Sequence, residues 1–67
     1  MNNIAQGLLI LLSYPGRHNL ESERNEIFGE GPSPTGMIPK DASRMVELGW
    51  IYDNQLEFWR HHLDQYA

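Results

Sequence analysis

The chain has 67 residues, no cysteine and a formal net charge of −4 with neutral histidines. The missing cysteines exclude disulfides and thiolate zinc sites. The negative charge argues against direct binding of nucleic acid or anionic membranes, because both attract clustered positive charge. The length predicts one small domain over 1–67 with a marginal core, a size at which domains often depend on self-association or a partner.

The N-terminal part lacks the positive charges of a secretory signal, and its apolar run Leu8–Leu12 is much shorter than a membrane-spanning helix of roughly 20 residues. The expected location is therefore the cytoplasm. Residues 3–14 predict the first helix, with Asn3 as its N-cap at capping-box spacing from Gln6. Leu9 and Ile10 widen the apolar face of this helix, which indicates either packing under the following loop or an interface with a partner or second copy.

A first β-hairpin is predicted over 19–30, with its tight turn at Arg24-Asn25 because Asn tolerates a positive φ. This turn would pair Glu23 with Glu26 and Glu21 with Phe28, so that three carboxylates share one sheet face. Leu20 and Ile27 would then point to the core. The segment 31–36, rich in Pro and Gly, predicts a loop.

The second helix is predicted from Pro39 to Leu48, with Ile38 as a weak N-cap and Gly49 reversing the chain. Its expected core side chains are Ala42, Met45 and Val46, with Leu48 or Ile38. Segments 50–53 and 56–61 predict a second hairpin turning at Asn54-Gln55, while 63–67 would extend the last strand or fray. In this register Trp50 lies opposite Trp59, and Ile51 opposite Phe58. The predicted fold is α+β, with two helices on a small, mostly antiparallel sheet in the order α-β-β-α-β-β.

Several short motifs lie at defined places along this order. They are Gly7-Leu8, Ile10-Leu11, Tyr14, Glu26-Ile27-Phe28-Gly29, Asp41-Ala42, Leu48-Gly49-Trp50, Asp53 and Trp59. Together they resemble a group of small, uncharacterised α+β proteins of bacteria, phages and other mobile elements, with departures at Ile38, Arg60 and His62. The resemblance implies the same fold. It also implies a stoichiometric inhibitor of a host defence system, of the anti-CRISPR kind.

No motif for catalysis, cofactor binding or metal binding is present in the sequence. His61 and His62 are neighbours in a predicted strand and would point to opposite faces, so they cannot jointly bind a metal. The serines lack the histidine and acid context of a nucleophile. The sequence therefore predicts a protein that is not an enzyme and that needs no cofactor or metal.

Two surfaces are candidates for binding a protein partner. The carboxylates of the first hairpin either imitate phosphates and occupy a basic, nucleic-acid-binding surface, or serve only as a solvated strand face. The aromatic residues of the second hairpin either form an interface or fill the core. The predicted partner-binding residues are Glu21, Glu23, Glu26, Glu30, Tyr52, Arg60 and His62. The alternative is an accessory domain that forms a homodimer through its first helix and has no inhibitory target.

Overall fold

A computed structural model describes residues 2–63, and the predicted α+β order α-β-β-α-β-β is confirmed. The elements are α1 Asn3–Leu12, β1 Leu20–Glu23, β2 Glu26–Glu30, a 3₁₀ turn Pro34–Gly36, α2 Pro39–Glu47, β3 Ile51–Asp53 and β4 Phe58–His62. The four strands form one antiparallel sheet in the order β1-β2-β4-β3. The two hairpins are therefore joined through their second strands. The predicted behaviour of the C-terminal residues 64–67 lies outside the described part of the chain.

The first helix begins and ends slightly differently from the prediction. Its N-cap is Asn2, whose side-chain oxygen accepts the Ala5 N–H at 2.8 Å, and Asn3 is already helical. The helix ends at Leu12 rather than at residue 14, and the Ser13 hydroxyl donates to the Ile10 carbonyl. Leu9 does not pack under the following loop, because 59% of it is exposed.

The second helix begins without a side-chain cap from its own N-cap residue, Ile38. Hydrogen bonds at this helix start come instead from the side chain of Tyr14, two residues beyond the end of the first helix. The Tyr14 hydroxyl accepts the Ile38 N–H at 2.9 Å and donates to Asp41 Oδ2 at 2.6 Å. The hydrogen bond to Asp41 is the main cause of a raised Tyr14 pKa, because ionisation would remove the donated proton, and desolvation acts in the same direction. Tyr14 thus joins the two helices.

The register of the second hairpin differs from the prediction by two residues. Tyr52, rather than Trp50, lies opposite Trp59, and Ile51 lies opposite Arg60 rather than Phe58. The reason is a four-residue loop, 54–57, instead of a two-residue turn. Asp53 Oδ1 accepts the N–H groups of Gln55 and Leu56 at 2.9 and 3.0 Å. The loop closes at Glu57, whose φ is 62° and whose N–H donates to the Asp53 carbonyl.

The core lies between the helices and one face of the sheet. Its buried side chains are Leu11, Met37, Met45, Leu48, Trp50 and Trp59. Met45 and Leu48 were predicted correctly, and Ala42 packs against them, but Val46 and Ile38 are 66% and 61% exposed. Val46 follows Met45 directly, so it points about 100° away around the helix. Leu20 was also predicted to be buried and is 54% exposed, since edge strand β1 has no neighbour on its outer side.

The close packing of the first helix on Trp50 can be tested at Gly7. A Cβ at this position would overlap the Trp50 indole ring, so Gly7→Ala should lower the free energy of unfolding by about 2–3 kcal/mol. The matched control is Gly36→Ala, whose Cβ would meet Pro32 Cβ at an ordinary 3.5 Å. This control should change stability by at most about 0.5 kcal/mol. Urea unfolding followed by tryptophan fluorescence measures both, and equal stability of the two variants would contradict the packing.

Candidate protein-binding face

The antiparallel register assigns the strand side chains to two faces of the sheet, because successive residues of a strand alternate in direction. One face carries Ile27, Tyr52 and Trp59 and packs against the helices. The other, here called the outer sheet face, contributes no side chain to the core cluster. Its cross-strand rows are Glu23, Glu26 and His62; Glu21, Phe28, Arg60 and Ile51; and Glu30, Phe58 and Asp53.

The centre of the outer sheet face is apolar. Phe28 and Phe58 lie diagonally to each other on the neighbouring strands β2 and β4, and both are half-buried. Ile51 on edge strand β3 is 59% exposed. Aromatic and aliphatic side chains surrounded by polar ones are the composition of a protein-binding patch. The centre can therefore supply apolar contact area to a partner.

The rim of this face is strongly acidic. Its five carboxylates and single guanidinium give −4, whereas the three acidic and four basic side chains elsewhere in residues 2–63 give +1. Two of the carboxylates have a nitrogen-bearing side chain close by. Asp53 lies 3.9 Å from the Arg60 guanidinium, and Glu26 lies 3.6 Å from the His62 ring. Glu21 and Glu23 are exposed and form no ion pair within residues 2–63.

Six of the seven predicted partner-binding residues lie together on the outer sheet face. They are Glu21, Glu23, Glu26, Glu30, Arg60 and His62. Glu30 is at its end, beside Pro15, Arg17 and Pro32, and its Oε1 atom is buried without a hydrogen-bond partner in the described chain.

The seventh predicted residue, Tyr52, lies on the opposite face. Its ring packs edge-on against Trp59, with 5.3 Å between the ring centroids. Desolvation raises the Tyr52 pKa, and the nearby charges of Glu57 and Asp53 add to this effect. Sequence reasoning placed Phe28 opposite Glu21 but did not include Phe28, Ile51, Phe58 or Asp53 among the partner-binding residues. The alternation Glu26, Phe28, Glu30 was a signal for Phe28.

The positions of the histidines and the lengths of the helices bear on metal binding and on membrane spanning. Both ring nitrogens of His61 are engaged, with the Leu48 carbonyl at 2.8 Å and the His62 carbonyl at 2.6 Å. Among residues 2–63, no three His, Asp or Glu side chains are grouped so that they could hold a metal ion. The helices in that same range are too short and insufficiently apolar for any of them to cross a membrane.

Fold and face together define a small α+β domain that has a two-helix layer on one side of its sheet and an open, acidic surface on the other. Comparisons of the chain with protein-family models, with characterised proteins and with solved structures find no match. The resemblance to small phage and bacterial proteins therefore stays a prediction.

The Asp53 carboxylate, in the turn at the edge of this face, should make the free energy of unfolding depend on pH. Hydrogen bonds from the Leu56 and Gln55 N–H groups and the Arg60 charge lower the Asp53 pKa below its usual 3.8, although desolvation opposes them. Because the folded pKa is the lower one, the contribution of the ionised group is present above the unfolded pKa and disappears as the pH falls through the folded value. Asp53→Asn should therefore be less stable than the wild type at pH 7.

The difference between Asp53→Asn and the wild type should shrink as the pH is lowered below about 4. Thermal unfolding followed by circular dichroism between pH 7 and pH 2 measures this difference. Asp41→Asn is not a suitable control, because Asp41 accepts the Tyr14 hydrogen bond. Glu57→Gln is suitable, since Glu57 is exposed at the other end of the same loop. A pH-independent difference for Asp53→Asn would contradict the role of its charge.

Proposed function

We propose that this chain is a non-enzymatic protein-binding domain whose outer sheet face docks onto a basic surface of another protein. The observation that carries the proposal is the sidedness of the charge. This face carries −4 around an apolar centre of Phe28, Phe58 and Ile51, whereas the other charged side chains of residues 2–63 sum to +1. Such a face attracts a positively charged partner over a distance and offers apolar contact area once the two proteins meet.

A solvated strand face explains the carboxylates alone but not the apolar side chains among them. Ile51 is 59% exposed, and it shares a cross-strand row with Phe28, Arg60 and Glu21. A row that serves only solubility is expected to be polar throughout, because exposed apolar area favours association. The mixture therefore favours a surface that is covered when the protein acts.

A basic protein surface fits the face better than any other partner class. Nucleic acid and anionic lipid carry negative charge and would be repelled by four net carboxylates. Surfaces that bind nucleic acid are rich in Lys and Arg, so a carboxylate face can compete with phosphates for them. The resemblance to phage and mobile-element products narrows this proposal to a stoichiometric inhibitor of a host defence component. That narrower part is supported by the resemblance alone.

The test compares two charge reversals that change the net charge equally. Glu21→Lys lies on the outer sheet face, and Glu57→Lys lies in the exposed β3–β4 loop. Wild type and both variants serve as immobilised baits in bacterial lysate, and the captured proteins are identified by mass spectrometry. We expect a basic protein that is captured stoichiometrically by the wild type and by Glu57→Lys and is lost with Glu21→Lys.

Titration of the purified partner then measures the affinity. Glu21→Lys/Glu23→Lys should weaken binding by about tenfold or more, and binding of the wild type should weaken as salt is raised. A partner that binds both single variants equally well would refute the outer sheet face as the contact. The identity of the partner tests the hypothesis of a defence inhibitor. A partner with no role in defence would remove that hypothesis and leave the protein-binding function.

A further inference from the structure

We infer that the chain forms a symmetric homodimer in which the first helices of two copies pack against each other. The inference rests on the outward face of α1, which is independent of the outer sheet face. Helix α1, Asn3–Leu12, contains no charged residue. Leu9 and Leu12 on this helix are 59% and 58% exposed. A helix that is apolar on more than one side is normally buried on more than one side.

The exposed Leu9 and Leu12, together with the half-buried Ala5, follow the spacing of a helix-packing seam. Ala5, Leu9 and Leu12 are separated by four and then three residues, which is the a/d spacing of helices that pack side by side. The inward residues Gly7 and Leu11 are buried, and Leu9 lies on the opposite side of the helix. One helix therefore has two apolar faces, of which the fold covers one.

Next to this seam runs an open groove of about 780 Å³ between the two helices. Gln6, Leu9 and Ile10 line it on the α1 side. On the α2 side the lining is polar, with Ser43 and the opposite charges of Lys40, Asp41, Arg44 and Glu47. A standard interface buries about 800 Å² per partner, which is about a sixth of the 4813 Å² surface of this chain. The α1 seam and the adjoining groove are contiguous, so together they can form one interface of this kind.

A second copy is the occupant that the charges favour. Two copies that met through their outer sheet faces would bring −4 against −4, whereas the helical side is free of net charge. A basic partner gains nothing from an uncharged helix. A lipid surface is also a poor fit, because Lys40 and Arg44 beside the apolar face are balanced by Asp41 and Glu47, which leaves no net positive charge for a headgroup layer. A symmetric contact moreover lets Leu9 of each copy meet the same apolar surface.

This arrangement has a consequence for binding. The helices lie on one side of the sheet, so a dimer through α1 leaves the two outer sheet faces exposed and directed away from each other. Each dimer would then present two identical acidic faces. A partner with two basic sites, or an oligomeric partner, would be bound with higher avidity than one face provides.

Sedimentation equilibrium over about a hundredfold range of protein concentration tests the inference directly. The wild type should reach twice its 7.8 kDa chain mass. Leu9→Glu and Leu12→Glu should each raise the dimer dissociation constant by at least about tenfold, because each copy of the interface contains the new charge. Both side chains are exposed, so the variants should fold, which circular dichroism checks.

The matched control is Val46→Glu. Val46 is 66% exposed, lies on α2 and does not line the groove, so this variant should remain dimeric. A wild type that stays monomeric at the highest concentration would overturn the inference, as would a dimer that survives Leu9→Glu and Leu12→Glu but dissociates with Ile51→Glu on the outer sheet face. A monomer that binds phosphatidylcholine vesicles through Leu9 would also overturn it, in favour of a lipid surface.

Discussion

The hydrogen bond from the Trp59 indole N–H to the Pro32 carbonyl, 2.7 Å long, is the contact on which the rest of the fold depends. Trp59 lies in a central strand and is almost fully buried, so its N–H must find an acceptor inside the protein. The Pro32 carbonyl supplies one and thereby fixes the loop between the two halves of the chain against the sheet. Trp50 does the same for the first helix, at 3.4 Å from the Asn3 carbonyl. Two indoles thus organise a core that is too small to contain many other large side chains.

The sequence prediction of each hairpin succeeded or failed with the identification of its turn. The first hairpin was predicted in its correct register, because Arg24-Asn25 was the one plausible tight turn. The positive φ expected at Asn25 is instead taken by Arg24, at 54°. The predicted register of the second hairpin was wrong, because a two-residue turn was preferred over a loop stabilised by the Asp53 side chain. That side chain accepts N–H groups two and three residues ahead, which is a habit of Asp that the sequence does display.

The candidate site was predictable within a hairpin and less so between hairpins. The alternation of side chains along the first hairpin is enough to place Glu21, Glu23 and Glu26 on one face. That Arg60 and His62 join them depends on the pairing of β2 with β4, which are separated by about thirty residues, and no local pattern specifies this register. Tyr52 was assigned to the partner surface although alternation places it on the face of Trp50. The structure follows the alternation, and the Tyr52 ring packs on Trp59.

The outer sheet face and the outward face of α1 differ in charge, so neither suits the role proposed for the other. The outer sheet face carries −4 and would repel a second copy of itself, while α1 contains no charged residue. In residues 2–63 the side chains of the chain cover one face of the sheet and one face of α1. The composition of the other two faces differs, and under the two proposals the acidic sheet face meets a basic surface while the apolar helix face meets a second copy of α1.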